Sequence, residues 1–165
     1  MCVIDKWIRT NSKKKYDVNG DVAKSGKVNK KVLKQYSITD KKSYDISDFD
    51  ISFVKGLSLE DGAATLIELI VQTLAERLVN SKKILTPDHR LILCGGGRKN
   101  NFLVERMHEY LPITQRIDNF GIDGDFVESQ TFAYLAIRSY LKLPISFPKT
   151  TGVKKPSSGG IIIKY

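Results

Sequence analysis

Apolar residues recur at helical spacing along Ala63, Leu66, Ile67, Ile70, Leu74 and Leu78, three or four apart and so on one helix face. Ser58-Leu59-Glu60-Asp61 stands ahead of them as a capping box, hydroxyl first and carboxylate three residues later. The pair predicts a helix from there to about Val79. Pro87 interrupts the pattern before an apolar run over residues 90–94, which reads as a buried strand. Three glycines end that run, and an amphipathic helix follows to about Tyr110. Residues 113–117 predict another strand and residues 125–141 a second strong helix. Near the start, Val3, Ile4, Trp7 and Ile8 form a helical stripe with no capping residue ahead of it. The Lys/Asn/Asp-rich stretch 11–50 is less regular, with a helix expected near 29–36. After Pro144 and Pro148 the chain reads as irregular until Gly159-Gly160, and Ile161-Ile162-Ile163 predicts a short final strand. Strands alternating with helices argue for an α/β layer.

Composition narrows the class without naming a chemistry. At 165 residues, with 41% apolar residues, the chain has the length of about one soluble domain with a substantial core. No apolar run is long enough to span a bilayer, and no secretory signal pattern opens the sequence, so no membrane partner is expected. Cys2 and Cys94 lie far apart and suggest neither a disulfide framework nor a metal motif. The expected compartment is a reducing cytoplasm. The net charge of +9 is local: residues 1–42 hold twelve Lys and Arg against four Asp, and the rest fifteen against fourteen. Lys outnumbers Arg twenty to seven, whereas bidentate base reading favours Arg. With no nucleic-acid motif alongside, the basic stretch reads as a lysine-rich solvated surface rather than a specific nucleic-acid interface.

Chemistry concentrates at Leu91-Ile92-Leu93-Cys94-Gly95-Gly96-Gly97-Arg98-Lys99-Asn100-Asn101. Glycine lets backbone approach a ligand closely, and the helix that follows offers unpaired N–H groups at its positive end. This is a nucleotide site in outline, although it matches neither G-x-G-x-x-G nor the P-loop. The structural alternative is a tight strand-to-helix turn.

Three blocks carry a resemblance: this loop, Phe120-Gly121-Ile122-Asp123-Gly124-Asp125-Phe126-Val127-Glu128, and Leu143-Pro144-Ile145-Ser146-Phe147-Pro148-Lys149-Thr150-Thr151-Gly152-Val153. In this order and spacing they resemble the anhydro-N-acetylmuramic acid kinase family. Cys2-Val3-Ile4-Asp5-Lys6-Trp7-Ile8, Asp17 to Val28 and Lys42-Ser43-Tyr44-Asp45 fit it too. The resemblance spans nearly the whole chain. It implies an actin-like (ribonuclease H-like) α/β ATPase domain, with residues 1–165 as the C-terminal lobe of a sugar kinase. The family's polypeptide is about twice this long. Its N-terminal Gly-Thr-Ser-Leu-Asp-Gly phosphate loop and its Asp-x-Gly-Pro-Gly-Asn segment, whose aspartate is the catalytic base, have no counterpart here. The implied activity is ATP-dependent hydrolysis and phosphorylation of 1,6-anhydro-N-acetylmuramic acid at O6 in cell-wall recycling. Mg²⁺ would be carried by the ATP phosphates, and a homodimer is implied.

Residue by residue, the resemblance lays Gly95, Gly96 and Gly97 against ATP and lets Arg98 and Asn100 reach the nucleotide. The local alternative makes Asn100 or Asn101 a helix cap and leaves Arg98 in solvent. The family often has a small residue at the position of Arg98. Glu128 falls at the family's sugar pocket, where a carboxylate can bind hydroxyls and orient the attacking water. Its local alternative is a capping box with Asp125 as N-cap. Asp5 is a candidate to face the cleft, with a surface carboxylate at a frayed terminus as the equal alternative, while His89 and His108 lack partners at metal-ligand spacing. Two alternatives to a complete enzyme follow. One is a subunit completed by a separate N-terminal half, with exposed apolar surface expected at Ile4, Trp7 and Ile8; the other is an inactive remnant.

Overall fold

A computed structural model describes residues 2–36, 50–80 and 89–163. The element order is α1 (Cys2–Asn11), α2 (Asp21–Ser25), α3 (Lys30–Gln35), α4 (Leu59–Asn80), β1 (Leu91–Leu93), α5 (Asn101–Tyr110), β2 (Thr114–Arg116), α6 (Val127–Tyr140) and α7 (Pro148–Thr151). The described residues thus form a mixed α/β fold. β1 and β2 pair in parallel, Leu91 opposite Thr114 and Leu93 opposite Arg116, with α5 as the crossover between them.

The core is built on α4. Ser58 Oγ accepts from the Asp61 N–H at 3.0 Å and caps this helix. The reciprocal half of the expected box does not form, because Asp61 Oδ1 instead accepts from the Lys27 N–H at 2.7 Å. The burial also differs from a one-sided stripe. Every residue from Gly62 to Leu69 is buried, Ile70 and Leu78 are partly so, and Leu74 is exposed. The physical reason is that α1, α2 and α5 all pack against this helix, so its first turns are covered from several sides.

Helix α1 corrects a second expectation. Ile4 and Ile8 are fully buried and Trp7 is 3% exposed. They join Leu66, Ile67, Val71 and Leu103 in one core cluster, and the indole Nε1 donates to the Leu59 carbonyl at 2.9 Å. The stripe is therefore interior to this chain and offers no free apolar surface. Asp17 organises the next turn: its two carboxylate oxygens accept from Val22 N–H at 2.9 Å and Ala23 N–H at 3.0 Å. The helix expected near 29–36 forms as α3, and Asn29 caps it, with Oδ1 accepting from Val32 N–H at 3.1 Å.

The far end of the chain differs in kind. No residue of α6 is buried. Ile161–Ile163 is no strand; Ile161 is 92% exposed, and no described strand lies beside it to complete its hydrogen bonds. The nearest pairing is a single antiparallel bridge between Ser146 and Ser157. Pro87, Lys42, Ser43 and Asp45 lie outside the described residues. Among the described residues no helix is long and apolar enough to cross a membrane.

Candidate functional site

The glycine loop starts where β1 ends. Gly95 has φ 72° and ψ −175°, a conformation essentially reserved for glycine, and it turns the chain out of the strand. A single 3-10 turn, Gly96–Lys99, follows. Asn100 then caps α5, its Oδ1 accepting from Leu103 N–H at 2.8 Å. A Cβ at Gly95 or Gly96 would meet nothing within 4 Å, so the outer face of this loop is open. The Gly95 N–H is not free; it donates to the Gly124 carbonyl at 3.0 Å and ties the loop to the segment ahead of α6.

Beside that tie lies a cleft of about 590 Å³, lined by Gly95, Gly96, Gly124, Asp125, Glu128 and Phe132 among others. Residues 95 and 128, far apart in sequence, thus line one cavity. Glu128 is exposed in the first turn of α6. The expected capping box is absent: Phe126 occupies the N-cap with no side-chain hydrogen bond. Asp125 instead accepts from Lys99 Nζ at 2.5 Å and Arg98 Nη1 at 2.6 Å. Its carboxyl is held below the usual aspartate range, first by Lys99 and then by Arg98.

The family model described as anhydro-N-acetylmuramic acid kinase matches residues 1–165. A protein of that name from Pelagibacter ubique is 46% identical over 179 residues, covering 99% of this chain and 46% of the relative. Those from Zymomonas mobilis and Rhizorhabdus wittichii are 38% and 39% identical, covering 97% and 96% of this chain and 45% of each relative. The chain belongs to the anhydro-N-acetylmuramic acid kinase family. It spans about half the length of the curated relatives it matches.

In this member of the anhydro-N-acetylmuramic acid kinase family the two side chains expected to reach the nucleotide are otherwise engaged. Arg98 is neither in solvent nor turned toward the loop opening. It is 6% exposed and spends its donors on Asp118, Asp125 and the Gly95 carbonyl. Asn100 is 1% exposed and serves as the helix cap. Among the described residues its buried Nδ2 has no hydrogen-bond partner, and neither does the buried Asp5 Oδ1. Both residues line a second cavity of about 420 Å³, with Tyr16, Asn19 and Lys99, and Gly96 belongs to both cavities. Burial raises the Asp5 carboxyl above its ordinary range. Asp5 thus lines this second cavity and not the cleft that holds Glu128.

The sequence reading missed Asp118 and Asp123. Asp118 makes a two-pronged contact with Arg98, and Asp123 lies 3.6 Å from the same guanidinium. Arg98 holds the Asp118 carboxyl below the usual range, and Asp118 and Asp125 raise the arginine in turn. Density of aspartate over residues 118–125 was the available signal, but nothing local pointed it at residue 98. Among the described residues no group of three or more His, Cys, Asp or Glu is placed to hold a metal ion.

Proposed function

We propose that this chain is the actin-like C-terminal lobe of a kinase that opens 1,6-anhydro-N-acetylmuramic acid with water and phosphorylates it at O6, using ATP. The glycine-loop backbone takes the nucleotide side of the cleft, and Glu128 takes the sugar side, where its carboxylate accepts from hydroxyls and orients the attacking water. Mg²⁺ travels with the ATP phosphates and neutralises their charge. The observation that carries this reading is that Gly95, Gly96 and Glu128 line one cleft, with Glu128 released from the capping role that would otherwise occupy it. Phosphoryl transfer depends on positioning and charge neutralisation between two lobes. The remaining groups, including the base that activates the acceptor, belong in this reading to the portion of the relatives' length that the chain does not span. The apolar, uncovered surface of α6 supports the need for such a second lobe, supplied in the same polypeptide or by a separate chain.

The test mixes this chain with an N-terminal half made from a full-length relative and follows sugar phosphorylation with Mg-ATP. Phosphorylation is expected in the mixture and in neither half alone, and Glu128→Gln is expected to lower it by about 10²- to 10⁴-fold. Turnover by this chain alone would overturn the assignment of the base to the other lobe. Turnover in neither case would favour an inactive remnant.

A further inference from the structure

Arg98 stands where the glycine loop meets the segment ahead of α6, and its side chain joins the two. Nε donates to Asp118 Oδ2 at 2.7 Å and Nη2 to Asp118 Oδ1 at 3.1 Å, a bidentate fork. Nη1 donates to Asp125 Oδ1 at 2.6 Å and to the Gly95 carbonyl at 3.1 Å. One buried guanidinium thus ties its own loop to residues 118 and 125. Gly124 is packed so closely that a Cβ there would strike the Arg98 side chain. The backbone bond from Gly95 to Gly124 lies alongside. Lysine could not reproduce this arrangement, because an ammonium lacks the planar fork.

The glycine loop and the segment at 124–128 so joined both line the cleft. Asp125 is drawn to Arg98 and Lys99, so it does not cap α6, whose first turn carries Glu128. The segment ahead of α6 is therefore held from the glycine loop as well as by its own turn, in which Asp123 accepts from the Asp125 and Phe126 N–H groups. We infer that Arg98 is a positioning residue that holds Glu128 in register with the glycine-loop backbone, so that ligands in the cleft meet both segments at once. This rests on the reading of the cleft as the substrate site.

The test follows hydrogen exchange and ligand affinity together in the 165-residue chain. Arg98→Ala is expected to speed exchange of the bonded amides of Gly95 and Asn100 and of Asp125 and Phe126 together, by at least about tenfold, with α4 unchanged. Arg98→Lys, which keeps the charge and loses the fork, should fall between. Affinities for Mg-ATP and for the 1,6-anhydro sugar should fall in the same order, Lys between wild type and Ala. A purely structural arginine would lower the melting temperature without that graded loss of affinity. If Arg98→Ala does not fold, Asp118→Asn removes one prong of the latch and should loosen the same two segments. Unchanged exchange in both segments would overturn the latch. Faster exchange with wild-type affinity would overturn the positioning role. A wild-type chain that binds neither ligand would instead overturn the reading of the cleft, and exchange alone would then judge the latch.

Discussion

Between Gly62 and Leu69 every residue of α4 is buried, while none of the fourteen residues of α6 is. Both helices are rich in apolar residues. The first is surrounded by α1, α2 and α5; the second exposes Phe132, Tyr134, Ile137 and Tyr140 to solvent. Burial of a side chain such as Leu66 or Ile67 stabilises by about 1.5–3 kcal/mol, and α6 forgoes most of that within this chain. Two helices of similar composition therefore do different work. α4 holds the fold together, and α6 presents Glu128 at one end and an uncovered apolar surface along its length.

The most direct way to break this contrast is truncation of one residue from each helix. Ile67→Ala should cost about 2–5 kcal/mol in urea unfolding, as expected for a cavity opened in a closed core. Ile137→Ala should stay within about 0.5 kcal/mol in the same experiment. Equal losses would mean that α6 is covered in solution, for instance by a second copy.

Acid sharpens the comparison at the cleft. Asp118 and Asp125 have folded-state values below the ordinary aspartate range, through Arg98 and Lys99. Their contribution is present above the unfolded value of about 3.9 and is lost as pH falls through the lower folded values. Glu68, in α4, behaves alike. Burial would raise it, but hydrogen bonds from Tyr110 and Arg106 outweigh that and lower it. Wild-type stability should therefore fall below about pH 4, and Arg98→Ala should flatten the part that comes from Asp118 while only reducing that from Asp125, which keeps Lys99. Denaturant midpoints measured for both proteins across that range decide it; parallel curves would count against the ion pairs.

The smallest effect on stability is expected on the exposed face of α6. Phe132 is 64% exposed, so Phe132→Asp should change stability by no more than about 0.5 kcal/mol in urea unfolding. A clear drop in stability would show that this face is packed in the free chain.

What the sequence determined by itself was local. The strand–glycine–helix order at residues 91–110 follows from periodicity and from Gly95, whose backbone angles demand glycine. The caps at Ser58 and Asn100 act over three residues and can be seen in the sequence for that reason. The family was legible as well, since its motifs are contiguous. Tertiary structure decided which apolar stripes found cover. Ile4, Trp7 and Ile8 met α4, and the residues of α6 met solvent; periodicity names the face of a helix but not its neighbour. It also decided the fate of the charged residues. Arg98 reaches Asp118 and Asp125 across 20 and 27 positions, a pairing that depends on how β1, α5 and β2 fold back on one another. Asp125 was thereby diverted from the cap that its spacing to Glu128 suggested. Patterns in sequence extend over a turn or a strand, whereas burial and ion pairing depend on whatever the chain brings alongside.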